Sequence, residues 1–437
     1  MDISSIFKKA EKTISTLKKH ATVYSCYIES KEDVLLEHAQ NVLNNDIKIN
    51  NDAERVFYDS ISIIPQYHSA GEIRARIDFF LRIARGLGFF SFAGENGVVY
   101  ISSFAGQLHD VDKSYSQINE LFLASFGTKI TLEKMENAEW VESLTQHVAA
   151  TRDFYMEQHG PWIKRFMDKL GDDLSRESFS TFMRQRIMAS IFDNSPICYP
   201  VLPPAKTAEW RSARESSVHE FPKLSGCSLY ELEHLFYKYI FIYEQYAISG
   251  VVEAGPGDTV VDAGAFIGDT ASYFSKKVGD TGKVLAFEIA PESIAFAKEN
   301  MRVNNCTNVE IVPFALSDKS QDVALSFNMI DASSNAVNDK RKDGQSSVIV
   351  KAVTLDEYCE EHGTVVDFIK ADIEGSEMAM LRGAAETISR DAPICAICLY
   401  HKRDDFWEIP QFLEARCPEY TFWFRCEAEP VLFAKKL

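Results

Sequence analysis

Residues 260–270, Val-Val-Asp-Ala-Gly-Ala-Phe-Ile-Gly-Asp-Thr, limit what this chain can fold into more than any other stretch. Val260 and Val261 end an apolar run of the kind buried on both faces of a sheet. Gly264 and Gly268 follow four residues apart. Asp269 and Thr270 then cap a run that reads as a helix. A strand, a glycine turn and a helix N-terminus expose bare backbone to a ligand. In an open α/β sheet that crevice lies at the carboxyl ends of the strands.

The spacing argues about the ligand. A dinucleotide turn uses G-x-G-x-x-G, so that backbone N–H groups cradle a pyrophosphate. Here the glycines bracket three residues, and Asp262 at the strand end would repel phosphate. A carboxylate in that place suits a cation or an ammonium group. S-adenosylmethionine carries an ammonium and a sulfonium and no phosphate. Glu288 ends the next strand, where a carboxylate can accept ribose hydroxyls. That feature serves a nicotinamide dinucleotide equally well. The segment Phe314-Ala315-Leu316-Ser317-Asp318 ends a third strand, where Ala315 and Leu316 could flank an adenine.

Residues 367–377, Asp-Phe-Ile-Lys-Ala-Asp-Ile-Glu-Gly-Ser-Glu, concentrate ionisable groups at a strand end. Alternation places Lys370, Asp372 and Glu374 on one side if the extended geometry persists. An ion pair of Lys370 with Asp372 or Glu374 would brace the turn, and the same groups can face a ligand. His401 ends the following strand at the same sheet edge and is a natural base for a hydroxyl proton. Asp372, Glu374 and His401 are also a conceivable divalent-metal set, although no metal is taken as part of the expected site. Cys395 and Cys398, three apart on a strand, point to opposite faces and suit neither metal nor redox chemistry.

With 437 residues the chain fits two domains, and 46% hydrophobic residues can build substantial cores. A net charge of −18 argues against an extended nucleic-acid surface. The nine scattered cysteines suit reduced thiols. Together with the lack of a leader-like start or a transmembrane run, they lead to the expectation of a soluble cytoplasmic protein. Residues 1–20 show an amphipathic helical pattern (Ile3, Ile6, Phe7, Ala10) read as packing on its own domain. Residues 21–28 suggest a strand and 70–87 a helix whose arginines (Arg74, Arg82, Arg85) form a solvated face. Ser175 is the expected cap of a later helix. Proline-rich residues interrupt regular structure between 193 and 227. The expected division is therefore a mainly helical accessory domain at 1–192, a linker at 193–227 and a catalytic domain at 228–437. A helix is expected over 228–249, its tyrosines near the glycine turn, followed by alternating strands and helices and a closing antiparallel pair.

The residues 228–437 resemble the FkbM family of S-adenosylmethionine-dependent methyltransferases. The matching pieces are Val261-Asp262-Ala263-Gly264-Ala265, Ala315-Leu316-Ser317-Asp318, Thr354-Leu355-Asp356, the 367–375 segment and Tyr400-His401. The resemblance implies a class I methyltransferase fold, a Rossmann-like doubly wound α/β sheet. It also implies O-methylation of a sugar, glycan precursor or secondary metabolite. By position it implies cofactor contacts from Asp262, Gly264, Ala265, Gly268, Asp269, Thr270, Glu288, Ala315, Leu316 and Asp372. Asp372, Glu374 and His401 become the expected catalytic residues. The competing expectations are a nicotinamide-dependent oxidoreductase and a non-catalytic, cofactor-binding partner subunit. The expected partner is a small molecule or glycan, and a homo-oligomer is compatible with the reading.

Overall fold

A computed structural model describes residues 3–28, 90–93, 99–104, 130–135, 137–192, 237–326, 347–402, 404–426 and 429–437. The expected helix at 70–87 and the linker at 193–227 lie outside the described residues. The chain divides into two compact units, Met1–Pro161 with Arg184–Pro196, and Trp162–Met183 with Ile197–Leu437. Among the described helices none is long and apolar enough to cross a membrane.

In the first unit, helix α1 (Ile3–His20) buries Ile6, Phe7 and Ala10, so the amphipathic pattern serves packing. Strand β1 (Ala21–Ile28) pairs antiparallel with β3 (Val99–Phe104) and with β4 (Ile130–Met135). With β2 (Phe90–Ala93) they form a sheet of order β2-β3-β1-β4. The unit expected to be mainly helical thus adds a four-stranded antiparallel sheet to its helices.

The second unit is built on a seven-stranded sheet. Strands β5 (Thr259–Ala263), β6 (Lys283–Phe287) and β7 (Val309–Val312) run parallel on one side of its centre. Strands β11 (Phe368–Ala371) and β12 (Ile394–Cys398) run parallel on the other. Strand β14 (Val431–Lys436) lies antiparallel between β12 and β13 (Tyr420–Arg425). The order β13-β14-β12-β11-β5-β6-β7 reverses direction of winding between β5 and β11. That switch point opens a crevice at the strand carboxyl ends. Central strands covered on both faces need continuous apolar runs, and β11 is buried at all four positions. This is the doubly wound, Rossmann-like α/β sheet expected for the C-terminal half.

A smaller sheet, β8 (Ala315–Leu316), β10 (Ser347–Val353) and β9 (Gln321–Ser326), is inserted after β7. In it β9 and β10 pair antiparallel. The residues Trp162–Met183, expected within the N-terminal domain, pack instead on the closing hairpin of the large sheet. Phe166 meets Phe422 and Phe179 meets Phe424, each at 5.4 Å between ring centres. Arg425 reaches Asp172 at 2.7 Å and donates to Ser175 Oγ at 2.7 Å. The helix at Asp173–Phe192 is capped by Asp172, whose carboxylate accepts the Ser175 N–H at 2.6 Å. Ser175 itself is a buried partner of Arg425, which corrects the expected cap.

The helix expected over 228–249 is described only as a wide π-type turn, Tyr237–Ile242. Gln245 N–H then donates to Tyr239 O at 3.0 Å, and Glu244 takes a left-handed φ of 46°. The chain leaves helical geometry there and turns Gln245 and Tyr246 toward the sheet.

Candidate active site

The turn after β5 is held by two backbone bonds to the end of β6. Gly264 N–H and Ala265 N–H both donate to Phe287 O, at 3.0 and 3.1 Å. Gly264 has φ +79°, and a Cβ there would lie 1.9 Å from the carbonyl oxygen of Asp372. Glycine is therefore required twice, by conformation and by contact. This contact joins the ends of β5 and β11. Phe266, at φ 44°, is a strained position in the same turn. Gly268 has a different duty from the expected one. A Cβ on it would meet Met301 and Ala297 at 2.8 and 3.3 Å, so it lets the helix Pro291–Val303 pack against the turn.

Asp262 is also turned inward. Its Oδ2 accepts from the Thr270 hydroxyl at 2.7 Å, and its Oδ1 lies 3.1 Å from Lys370 Nζ. Lys370 further donates to Ala263 O at 3.1 Å and Gly264 O at 2.6 Å. This pair replaces the expected ion pair of Lys370 with Asp372 or Glu374. The extended geometry stops at Ala371, and Glu374 is left-handed at φ 55°. Asp262, Thr270 and Lys370 thus brace the glycine turn from beneath. Asp269 is buried in the first turn of the helix Asp269–Val278, and burial pushes its carboxyl up to about 6. Ala265 is buried beside it, as are Ala315 and Leu316 in β8.

Glu288, at the end of β6, is oriented by backbone. Its Oε2 accepts Phe266 N–H at 2.8 Å, and its Oε1 accepts Ile289 and Ala290 N–H at 2.7 and 2.8 Å. Burial outweighs these bonds and raises its carboxyl above the ordinary value. A carboxylate has room for about four acceptor contacts, so the three N–H groups leave room for a further donor.

Past β11, Asp372 is held between two phenols. Tyr246 donates to Oδ2 at 2.8 Å and Tyr400 to Oδ1 at 2.9 Å. Burial alone would lift this carboxyl. The charges of His401 and Lys370 and the two hydroxyls outweigh it and keep Asp372 below the usual range. His401 lies among three carboxylates. Its Nε2 is 3.6 Å from Asp372 Oδ1 and 3.6 Å from Glu374 Oε2, and its Nδ1 is 2.9 Å from Glu377 Oε1. Burial would lower its pKa, but Glu374, Glu377 and Asp372 together raise it well above 6.5. The carboxylates around it thus favour the charged imidazole, which weighs against the expected part of His401 as the base. Glu374 is raised by burial despite His401.

Three contributors escaped the sequence reading. Glu377, fully buried, enters at the first turn of the helix Glu377–Arg382. Its Oε1 accepts Ile373 N–H at 2.8 Å. Gln245 donates to Glu429 at 2.9 Å. Glu429 precedes β14, and burial of its carboxyl beside Asp372 pushes it up to about 7. Glu429 lies between β13 and β14, and only proximity in the folded sheet reveals it. Asp372, Glu377 and His401 offer ligand atoms within 4.8 Å of one another, a different trio from the one expected for a metal.

Two further motifs are architectural. Thr354 caps the helix Leu355–His362 by accepting Glu357 N–H at 3.1 Å. Asp356 accepts the Glu386 and Thr387 N–H groups at 3.1 and 2.7 Å. Cys395 and Cys398 are buried, and burial pushes the Cys395 thiol up to about 12, which leaves it inert.

The crevice fits S-adenosylmethionine on structural grounds. Glu288 provides an oriented acceptor for hydroxyls, Gly264 keeps the wall free of side chain, and acidic groups face a positive charge. Comparison with known proteins finds similarity to methyltransferases. "Methyltransferase 1" of Beauveria bassiana is 28% identical over 167 residues, covering 34% of this chain and 65% of that protein. An arsenite methyltransferase of Halobacterium salinarum is 34% identical over 76 residues, covering 16% of this chain and 19% of that protein. The chain thus spans less than two thirds of the length of these relatives. The solved methyltransferase FkbM of Methylobacillus flagellatus is 16% identical with a TM-score of 0.42, covering 65% of this chain and 60% of that one. Residues 262–422 match the family model of the methyltransferase FkbM domain. The C-terminal half of this chain thus contains a stretch, residues 262–422, that is similar to the methyltransferase FkbM domain.

Proposed function

We propose that this chain is an S-adenosylmethionine-dependent O-methyltransferase acting on a hydroxyl of a sugar, glycan precursor or secondary metabolite. The observation that carries the reading is the contact of Gly264 with the Asp372 carbonyl, where a Cβ would lie 1.9 Å away. It brings the turn next to Glu288 and the acidic cluster around Asp372 to one crevice. When bound, the cofactor supplies an electrophilic methyl group on a sulfonium. The work of the chain is to align an acceptor oxygen with it and to take a proton.

Glu288 would hold the ribose, its carboxylate oriented by Phe266, Ile289 and Ala290. Asp372 stays ionised between Tyr246 and Tyr400, so it orients and compensates positive charge rather than accepting a proton. His401 fixes the carboxylates around it. Glu429, pushed up to about 7 by burial and Asp372, is matched to take the hydroxyl proton near neutral pH. Glu374, also raised, faces the same cluster and would help position the acceptor.

The test is to incubate the full chain with S-adenosylmethionine and a panel of sugars, glycan precursors, polyketide-like alcohols, amines and thiols. Mass spectrometry should find an acceptor that gains one methyl group on oxygen. Methylation of amines or thiols alone in that panel would overturn the O-methyltransferase reading.

A further inference from the structure

Asp372, Glu377 and His401 come from three elements, the ends of β11 and β12 and the start of the helix Glu377–Arg382. They converge to within 4.8 Å. Their hydrogen bonding is incomplete in a specific way. Glu377 is fully buried, its Oε1 accepts from Ile373 and Gly375, and its Oε2 is buried with no hydrogen-bond partner. His401 has 8% of its side chain exposed, and neither ring nitrogen makes an aligned hydrogen bond. The 2.9 Å approach of Nδ1 to Glu377 Oε1 is an ion-pair distance without that alignment. A buried carboxylate oxygen without a donor is costly, and native folds rarely tolerate one unless a ligand satisfies it.

We propose that Asp372, Glu377 and His401 form a binding site for a divalent transition-metal cation of the manganese type. Two carboxylate oxygens and one imidazole nitrogen suit such a cation, which would displace the proton from His401 as it binds, and three protein ligands leave positions open. The surroundings are acidic beyond the trio. Glu374 approaches His401 at 3.6 Å, and Asp405 is buried near Glu377 and His401. Carboxylates that crowd together this way draw in positive charge, whether a proton or a metal ion. Lys370, the nearest buried cation from β11, is committed to Asp262, Ala263 and Gly264. An ion here would sit where the acceptor oxygen is expected, so its part in catalysis rests on the methyltransferase reading, whereas its binding does not.

The experiment titrates manganese alone into the full chain, without cofactor, and follows the free-ion signal by electron paramagnetic resonance. One equivalent should bind. Glu377→Gln and His401→Ala should each weaken binding at least about tenfold, while Asp173→Asn, an exposed carboxylate, leaves it unchanged. Pulsed spectra of the wild-type complex should show nitrogen coupling from the imidazole, a readout that needs no folded variant. Absence of one-to-one binding, binding that survives both substitutions, or a wild-type complex without nitrogen coupling would overturn the proposal. S-adenosylmethionine affinity measured in parallel separates failure of the cation site from failure of the functional reading.

Discussion

Replacing Lys370 by methionine removes the brace under the glycine turn while keeping most of the side-chain volume. The ammonium lies 3.1 Å from Asp262 Oδ1, 3.1 Å from Ala263 O and 2.6 Å from Gly264 O, and the two side chains are 2% and 0% exposed. The substitution leaves the Asp262 carboxyl buried in the core with Thr270 as its remaining side-chain donor. Breaking a buried pair from one side costs about 3–5 kcal/mol. That is a large share of the about 5–15 kcal/mol that keeps a domain folded. Asp262→Asn alone strands the lysine and should cost a comparable amount. The double variant carries neither charge, so its loss should fall short of the sum by at least about 2 kcal/mol. Urea unfolding followed by tryptophan fluorescence reads this, since Trp407 and Trp423 are both buried in the second unit. A Lys370→Met loss below about 1 kcal/mol, or strict additivity of the two substitutions, would refute the bracing argument.

The remaining expectations concern the site and its support. The methylation rate should rise as pH increases through about 7, because Glu429 must be deprotonated to accept a proton, and Glu429→Gln should abolish that limb and slow turnover about a hundredfold or more. A wild-type profile flat across this range would remove Glu429 from the chemistry. Tyr246→Phe and Tyr400→Phe each strip one hydroxyl from Asp372, so each should raise the Asp372 pKa and lower turnover, with the pair worse than either; infrared titration of the carboxylate checks this. Asp172 is held below its ordinary value because the bonds from Arg425 and Ser175 outweigh burial. Its contribution is therefore present above the unfolded value of about 3.9 and lost as pH falls through the folded one, so the stability gap between wild type and Asp172→Asn should close in acid. A gap that persists at the lowest pH would contradict the ion-pair assignment.

Much of the second unit was legible because its signals are local. Apolar runs bounded by turns marked β5, β6, β11 and β12, and the glycines after β5 marked the crevice. Glu288 was legible because strand ends in such sheets converge, so a carboxylate one strand along lands beside the turn. Other features depended on contacts distant in sequence. Lys370 pairs with Asp262, 108 positions away, whereas alternation along its own strand pointed to Asp372 and Glu374. Gly268 reads as a ligand-facing glycine, yet the helix Pro291–Val303 packs on it. The two-residue β8 is too short to leave a periodic signal. Glu377 lay in the segment that drew attention but follows two left-handed residues, Glu374 and Gly375, which redirect the chain under His401. The surroundings of His401 could not be read from the sequence, because its three carboxylate neighbours come together only in the fold.

Calorimetric titration of S-adenosylmethionine into the full chain and its Glu288→Gln variant tests the central claim most directly. Glu288 is oriented by three backbone N–H groups, and losing a hydrogen bond to a charged group is worth about 1.5–3 kcal/mol. The wild type should bind one equivalent, and the variant should bind at least about tenfold more weakly. Equal affinity in both, or a wild type that ignores S-adenosylmethionine and takes up a nicotinamide dinucleotide, would contradict the account.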